Sequence, residues 1–212
     1  MHRDSGWRGI WFGAMAMTSY RWLALLERSL ADPIVAPRGG SGMTVRILDA
    51  ADADRYAALR PDTAPRVFAD RLDRSEVCVG TFEHERLVAA GWLTLGHGPV
   101  PYLGHELALS EGVAWSYDGF TLPALRGRSV GTVRLAALLE AAEERGAQSI
   151  LAAILPENRS AFGPVARTGW RRVGTLRAVR LPGGSWRMTS SPGLSAAAGL
   201  PRDPLAARAP GG

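Results

Sequence analysis

From Met43 onward, apolar and polar positions alternate in short, regular blocks that can be assigned one after another. Thr44 to Leu48 reads as a strand, Asp49 is placed to cap a helix running to about Leu59, and a second helix is expected over Ala64 to Leu72. Glu76 to Phe82 and Leu87 to Leu95 are apolar runs joined by the polar link Glu83 to Arg86, the pattern of an antiparallel hairpin. Val113 to Leu122 is a further strand. A longer helix starts near Ser129: Gly131, Leu135, Leu138, Leu139 and Ala142 form one stripe at a 3.6-residue period, and Gly146 supplies a stop. Ser149 to Leu155 is a continuous apolar run of the buried-strand type, Arg159 to Thr168 is a short helix ended by Gly169, and Trp170 to Leu181 forms one or two last strands. The order β-α-α-β-β-β-α-β-α-β predicts an α+β domain over residues 43–182, a mixed and mostly antiparallel sheet with helices on both faces.

Both ends differ from this middle. Residues 183–212 are dominated by Ser, Gly, Pro and Ala without periodicity and are expected to form a flexible tail. In residues 1–42, Trp7, Trp11, Phe12, Tyr20 and Trp22 crowd together with Arg8, Arg21 and Arg28 ahead of a Pro/Gly linker from Ala31 to Ser41. This predicts an appended helix that packs on its own domain, on a second copy in a homodimer, or at a membrane surface. Its uncharged run, Gly9 to Tyr20, falls short of the roughly 20 residues a spanning helix needs.

Composition adds little constraint on fold and more on partners. The formal net charge is +5, and all 25 basic residues are arginine. They are spread over every segment rather than interleaved with aromatics on one stripe, so no nucleic-acid partner is expected and a small anionic ligand accounts for the excess equally well. Cys78 is the only cysteine, which excludes an internal disulfide and suits the cytoplasm; its place in an alternating strand reads as core. His97 and His105 lack metal-ligand spacing, and no metal is expected.

The most informative stretch is Leu125 to Leu139, LRGRSVGTVRLAALL, a basic glycine-punctuated loop that runs directly into a helix. The first-turn N–H groups of a helix have no partners inside it and carry the positive dipole end, so an anion in front of them is stabilised. Arg126 and Arg128 add charge there. With Arg126-Gly127-Arg128-Ser129-Val130-Gly131, then helix, strand, Asn158, Ala161 and Gly169-Trp170 in that order, the chain resembles the GNAT family of acyl-CoA-dependent N-acyltransferases over most of Met43 to Leu181. Two departures stand out. Ser129 replaces the first glycine of the loop, a position serine tolerates beside a phosphate if its φ is negative, and Val165 stands where many relatives carry the tyrosine that protonates the departing thiolate.

The resemblance implies a fold with a splayed strand pair and an acetyl-CoA or other acyl-CoA co-substrate, its acyl group passing by direct attack to a primary amine. The diphosphate would sit on backbone N–H groups between Arg128 and Thr132, the segment Arg128, Ser129, Val130, Gly131 and Thr132, with Arg126 and Gly127 also at the cofactor site; the pantetheine arm would meet Phe120, Thr121 and Leu122, with Asn158 and Phe162 beside it. A glutamate that histone-type members carry on this strand corresponds to Trp115. Tyr117 and Asp118 remain as candidate bases, Asp118 only if a bulge re-aims it, and Glu106, beside His105 in the loop Gly96 to Gly112, is a third. A module that binds acyl-CoA without catalysis is the alternative that Ser129, Val165 and Trp115 leave open.

Overall fold

Asp49 begins the first helical segment as a capping residue should: its Oδ1 accepts from the Ala51 N–H at 2.9 Å while its own N–H donates to Asp52 Oδ2 at 3.2 Å. The computed structural model describes residues 20–34, 42–101, 105–180 and 186–190 of the chain. Along it run β1 (Tyr20–Ser29), β2 (Met43–Ile47), α1 (Ala53–Leu59), α2 (Pro65–Asp73), β3 (Val77–Glu83), β4 (Arg86–Leu95), β5 (His97–Val100), β6 (His105–Ala108) and β7 (Val113–Thr121). There follow α3 (Val130–Glu143), β8 (Ser149–Ile154), α4 (Arg159–Arg167), β9 (Arg171–Arg180) and β10 (Trp186–Ser190). Eight strands form one sheet in the order β10-β9-β1-β8-β7-β4-β3-β2, antiparallel throughout except for the parallel pair β7 and β8. The fold is the mixed, mostly antiparallel α+β arrangement that the polar and apolar blocks imply.

Period-2 alternation divides the core between two layers. Cys78 and Trp92 face α1 and α2, where Tyr56, Phe68 and Trp92 pack ring on ring with centroids 4.6 to 5.8 Å apart and the Trp92 indole donates to the Tyr56 hydroxyl at 2.9 Å. Their neighbours Val79 and Leu93 face α3 and meet Leu135, Leu138, Leu139 and Ala142, the stripe visible in the sequence. Cys78 is a core residue, and burial pushes its thiol well above the ordinary range.

Three segments depart from expectation. Tyr20 to Ser29, placed by sequence within an N-terminal helix, is β1, and it lies inside the sheet between β8 and β9. Leu23 and Leu25 enter one core layer and Leu26 and Leu30 the other. A strand covered on both faces loses its alternating signature and reads as an unbroken apolar run, LALL, which periodicity cannot tell from a helix. Arg28, counted among the arginines of that segment, is buried: its Nε donates to the Thr168 carbonyl at 2.9 Å and Nη2 to the Pro33 carbonyl at 2.8 Å, tying the end of β1 to the end of α4. Trp186 to Ser190, assigned to the tail, pairs with β9 as β10. Gly96 to Gly112, read as a loop, holds the β5–β6 hairpin. The helix expected before Tyr20 and the tail beyond Ser190 lie outside the described residues.

Candidate active site

The parallel pair that centres the sheet comes apart. Val113 to Ser116 align with Ser149 to Ala152, and no pairing continues beyond Ser116 and Ala152. A cleft of about 640 Å³ opens there, walled by Tyr117 to Thr121 on one side, by Ala153 to Leu155 on the other, and by the first turns of α3 and α4.

On the opposite edge of β7 the pairing with β4 slips. Ala90 faces Phe120 and Trp92 faces Tyr117, so Gly91 is opposed by both Asp118 and Gly119. This is a bulge, with Asp118 at φ +47°. It re-aims Asp118 toward α1 and α2, where its two oxygens accept from Arg60 and Arg71, each at 2.7 Å. Burial alone would raise the Asp118 carboxyl; the two guanidinium groups outweigh it and hold the group below the usual carboxylate range. Such a carboxylate is a weak base. Tyr117 points into the same layer, lies under the Arg71 guanidinium, and donates to Glu76 Oε2. Burial first, then that hydrogen bond, pushes the Tyr117 phenol far up, so it stays protonated. Glu76 has a fully enclosed side chain that also meets Arg74 at 2.8 Å and His97 at 3.4 Å.

The basic loop supplies the other half. Thr132 and Val133 donate their N–H groups to the Ser129 carbonyl at 2.9 Å, and Arg128 donates to Leu125 at 3.4 Å. The amides of Gly127, Ser129, Val130 and Gly131 have no backbone acceptor among the described residues. Unengaged amides at the start of a helix are donors open to an anion. Ser129 reaches this position with φ +64°, in the left-handed region, not with the negative φ expected of it. It therefore copies the backbone of a glycine at the cost of strain. Gly131 allows a close approach of α3 to α4: a Cβ there would stand 3.0 Å from Pro164, whose ring would have to give way by a few tenths of an ångström.

Of the residues singled out by sequence, Tyr117, Asp118, Phe120, Thr121, Arg126, Gly127, Ser129, Gly131, Thr132 and Asn158 all border the cleft. Others do not. The Leu122 N–H is engaged by the Val88 carbonyl at 3.0 Å; since amides alternate in direction along a strand, that of Thr121 is the one turned to the open side. Val130 offers its amide while its side chain packs with Val88, Ala89 and Leu125. Arg128 lies 3.6 Å from Glu83, outside the cleft, and Phe162 packs into the α3 core layer. Glu106 is exposed on β6 and does not border the cleft. Trp115 is buried and donates to the Pro99 carbonyl at 2.9 Å, anchoring the β5–β6 hairpin. Val165 is buried and lines the cleft as an aliphatic wall.

Sequence reasoning missed two residues. Glu76 looked like the polar start of a strand. Arg134 was legible, because it follows Gly131 by three and precedes Leu138 by four and so breaks the apolar stripe of α3 with a charge. Among the described residues no helix is long and apolar enough to cross a membrane, and no group of three or more His, Cys, Asp or Glu side chains converges as metal ligands.

Residues 45–168 match the model of the acetyltransferase (GNAT) family. No curated protein matches the chain. Similar solved structures include a GNAT-family acetyltransferase from Novosphingobium aromaticivorans, with TM-score 0.52 and 18% identity over 76% of this chain and 66% of that one. A GCN5-related N-acetyltransferase from Kribbella flavida has TM-score 0.53 and 18% identity over 88% of this chain and 65% of that one. One from Sphaerobacter thermophilus has TM-score 0.54 and 14% identity over 96% and 60%. The chain thus spans just under two thirds of the length of these structures, and at such identity the likeness is one of fold.

Proposed function

The chain belongs to the GNAT acetyltransferase family, and on that premise we propose that it is an N-acyltransferase that moves an acyl group, most simply acetyl, from CoA to a primary amine by direct attack. The observation that carries this reading is the parting of β7 from β8 directly in front of the unengaged amides that open α3. The residues present fit a CoA thioester. Gly127, Ser129, Val130 and Gly131 would hold the diphosphate, Arg126 is exposed beside them, and the Thr121 amide would orient the pantetheine arm. Amides aimed at a thioester carbonyl polarise it and stabilise the oxyanion that forms on attack.

An acceptor amine is an ammonium near neutral pH, since an alkyl amine titrates near 10.4. Tyr117 and Glu76 make a path for its proton: the phenol passes its own proton to the Glu76 carboxylate as it takes one from the ammonium, leaving a neutral nucleophile. Asp118, bound on both oxygens, holds the bulge to α1 and α2 rather than accepting protons. With a single, buried cysteine, the protein suits a reducing compartment, and we place it in the cytoplasm.

A panel of small amines, amino sugars and peptides tested with acetyl-CoA for release of free CoA checks the proposal. Turnover above background with some acceptor is expected, and Tyr117→Phe and Glu76→Gln should each lower kcat by about 10²-fold with little change in the affinity for acetyl-CoA. Tight CoA binding without turnover across the panel would instead identify a catalytically silent acyl-CoA-binding module, the second reading, which the aliphatic Val165 in the cleft wall favours.

A further inference from the structure

Arg134 occupies a place that a charged side chain does not normally hold. It sits on the inward stripe of α3, between Gly131 and Leu138, and its Nε and Nη1 are enclosed with no hydrogen-bond partner among the described residues. Two glycines make the room: a Cβ on Gly91 would stand 1.9 Å from Arg134 Nη1, and one on Gly119 would stand 2.7 Å from Nη2. Both belong to the bulge, Gly91 on β4 and Gly119 on β7, so the guanidinium lies against the bulge, just beyond the point where β7 parts from β8. Arg134 also borders the cleft. The residue as a whole keeps some accessible surface, and its enclosed donors stand at the cleft floor.

Burial lowers its guanidinium to about 10, which leaves it a cation at neutral pH. The titratable groups that act on it electrostatically are Cys78, whose thiol is neutral, and Asp118, whose carboxylate is already engaged by Arg60 and Arg71. A buried cation without a partner is strongly destabilising, so its position calls for negative charge supplied from outside the protein. Thioester aminolysis generates that charge in the cleft. The amine nitrogen forms the new C–N bond, the C–S bond breaks, sulfur departs with the electron pair as a thiolate, and the extra proton on nitrogen passes to water. Among the described residues that line the cleft, no acidic side chain stands ready to protonate the sulfur: Val165 is aliphatic and Tyr117 is committed to Glu76.

We propose that Arg134 is a catalytic residue of the acyl transfer, its guanidinium receiving the negative charge of the departing thiolate through the floor of the cleft. This rests on the acyltransferase reading above. It extends that reading by assigning to the protein's own cation the work of leaving-group stabilisation, with Arg134 charged throughout.

The test uses free CoA, which carries the thiol without the acyl group. The ultraviolet absorbance of the thiolate is followed in a pH titration of CoA bound to the wild-type protein and to Arg134→Leu, with desulfo-CoA as the ligand that lacks sulfur. Bound to wild type, the CoA thiol should be at least about tenfold more acidic than in free solution, as expected beside an unscreened cation, and Arg134→Leu should abolish the difference while binding desulfo-CoA unchanged. The same variant should lose about 10²-fold in kcat with acetyl-CoA, yet melt at or above the wild-type temperature because a buried unpaired charge is gone. CoA that binds to wild type with a thiol of ordinary acidity overturns the role of Arg134 and leaves the acyltransferase reading standing. A protein that binds no CoA removes both. If Arg134→Leu does not fold, the wild-type titration alone decides, and Arg134→Lys, which keeps the charge, should retain the acidified thiol.

Discussion

Ser129 shows how a single backbone angle can substitute for a residue type. Its side chain differs from the glycine usual in such loops, yet at φ +64° its amide is one of four in the loop with no backbone acceptor among the described residues. A left-handed conformation destabilises an L-residue by about 1–2 kcal/mol, and glycine relieves this while giving back part of the gain in unfolded-chain entropy. Ser129→Gly should therefore raise stability by about 1 kcal/mol, a rise of roughly 2–4 °C in melting temperature for a chain of this size, and preserve acetyl-CoA affinity. A lower melting temperature would show that the serine hydroxyl makes a contact worth more than the strain. The expectation of negative φ was reasonable from residue preference alone; the loop needs the amide direction more than it needs relaxed torsions. Arg134 and Glu76 illustrate the opposite limit. Their meaning depends on glycines and a phenol far away in sequence, at positions 91, 119 and 117, and only the fold brings these together.

At the scale of elements, most strands and helices between Met43 and Arg180 were legible because polar or turn residues bound each apolar run and α3 keeps a clean period. The Asp49 cap, the β3–β4 hairpin and α3 all fall within a residue or two of their expected limits. The failures have two causes. β1 is covered on both faces and so carries no alternation, and β5, β6 and β10 are four or five residues long, too short for periodicity to register. The bulge in β7 was foreseen only as the condition under which Asp118 would turn; nothing in the local sequence requires it beyond Gly119, and its partner Gly91 lies on another strand. Because β1 supplies two fully buried leucines and the Arg28 tie to α4, it is part of the folding unit although the family match begins only at residue 45. Leu25→Ala should destabilise by about 2–5 kcal/mol, and a fragment beginning at Met43 should lack a cooperative thermal transition. A cooperative transition in that fragment, near the wild-type temperature, would show β1 to be an accessory strand.

For the whole molecule, the sheet works as two antiparallel halves joined by a short parallel seam. On one side of the seam β4 and the bulge fix β7 from behind; on the other, β1 and β9 fix β8. Strands held by different neighbours can part without loss of pairing elsewhere, and the opening falls where α3 and α4 both direct their first turns. The charged groups also divide by layer: the network of Asp118, Arg60, Arg71 and Glu76 lies with α1 and α2, whereas the donors of the loop and Arg134 lie with α3. An acceptor approaching from the first layer would meet a thioester held by the second, which is the arrangement direct transfer needs.

A crystal structure with acetyl-CoA tests this most directly. The account requires the diphosphate on the amides of Gly127, Ser129, Val130 and Gly131, with the thioester between β7 and β8 above Gly119. A diphosphate bound elsewhere, or a thioester outside the gap between those strands, would contradict it.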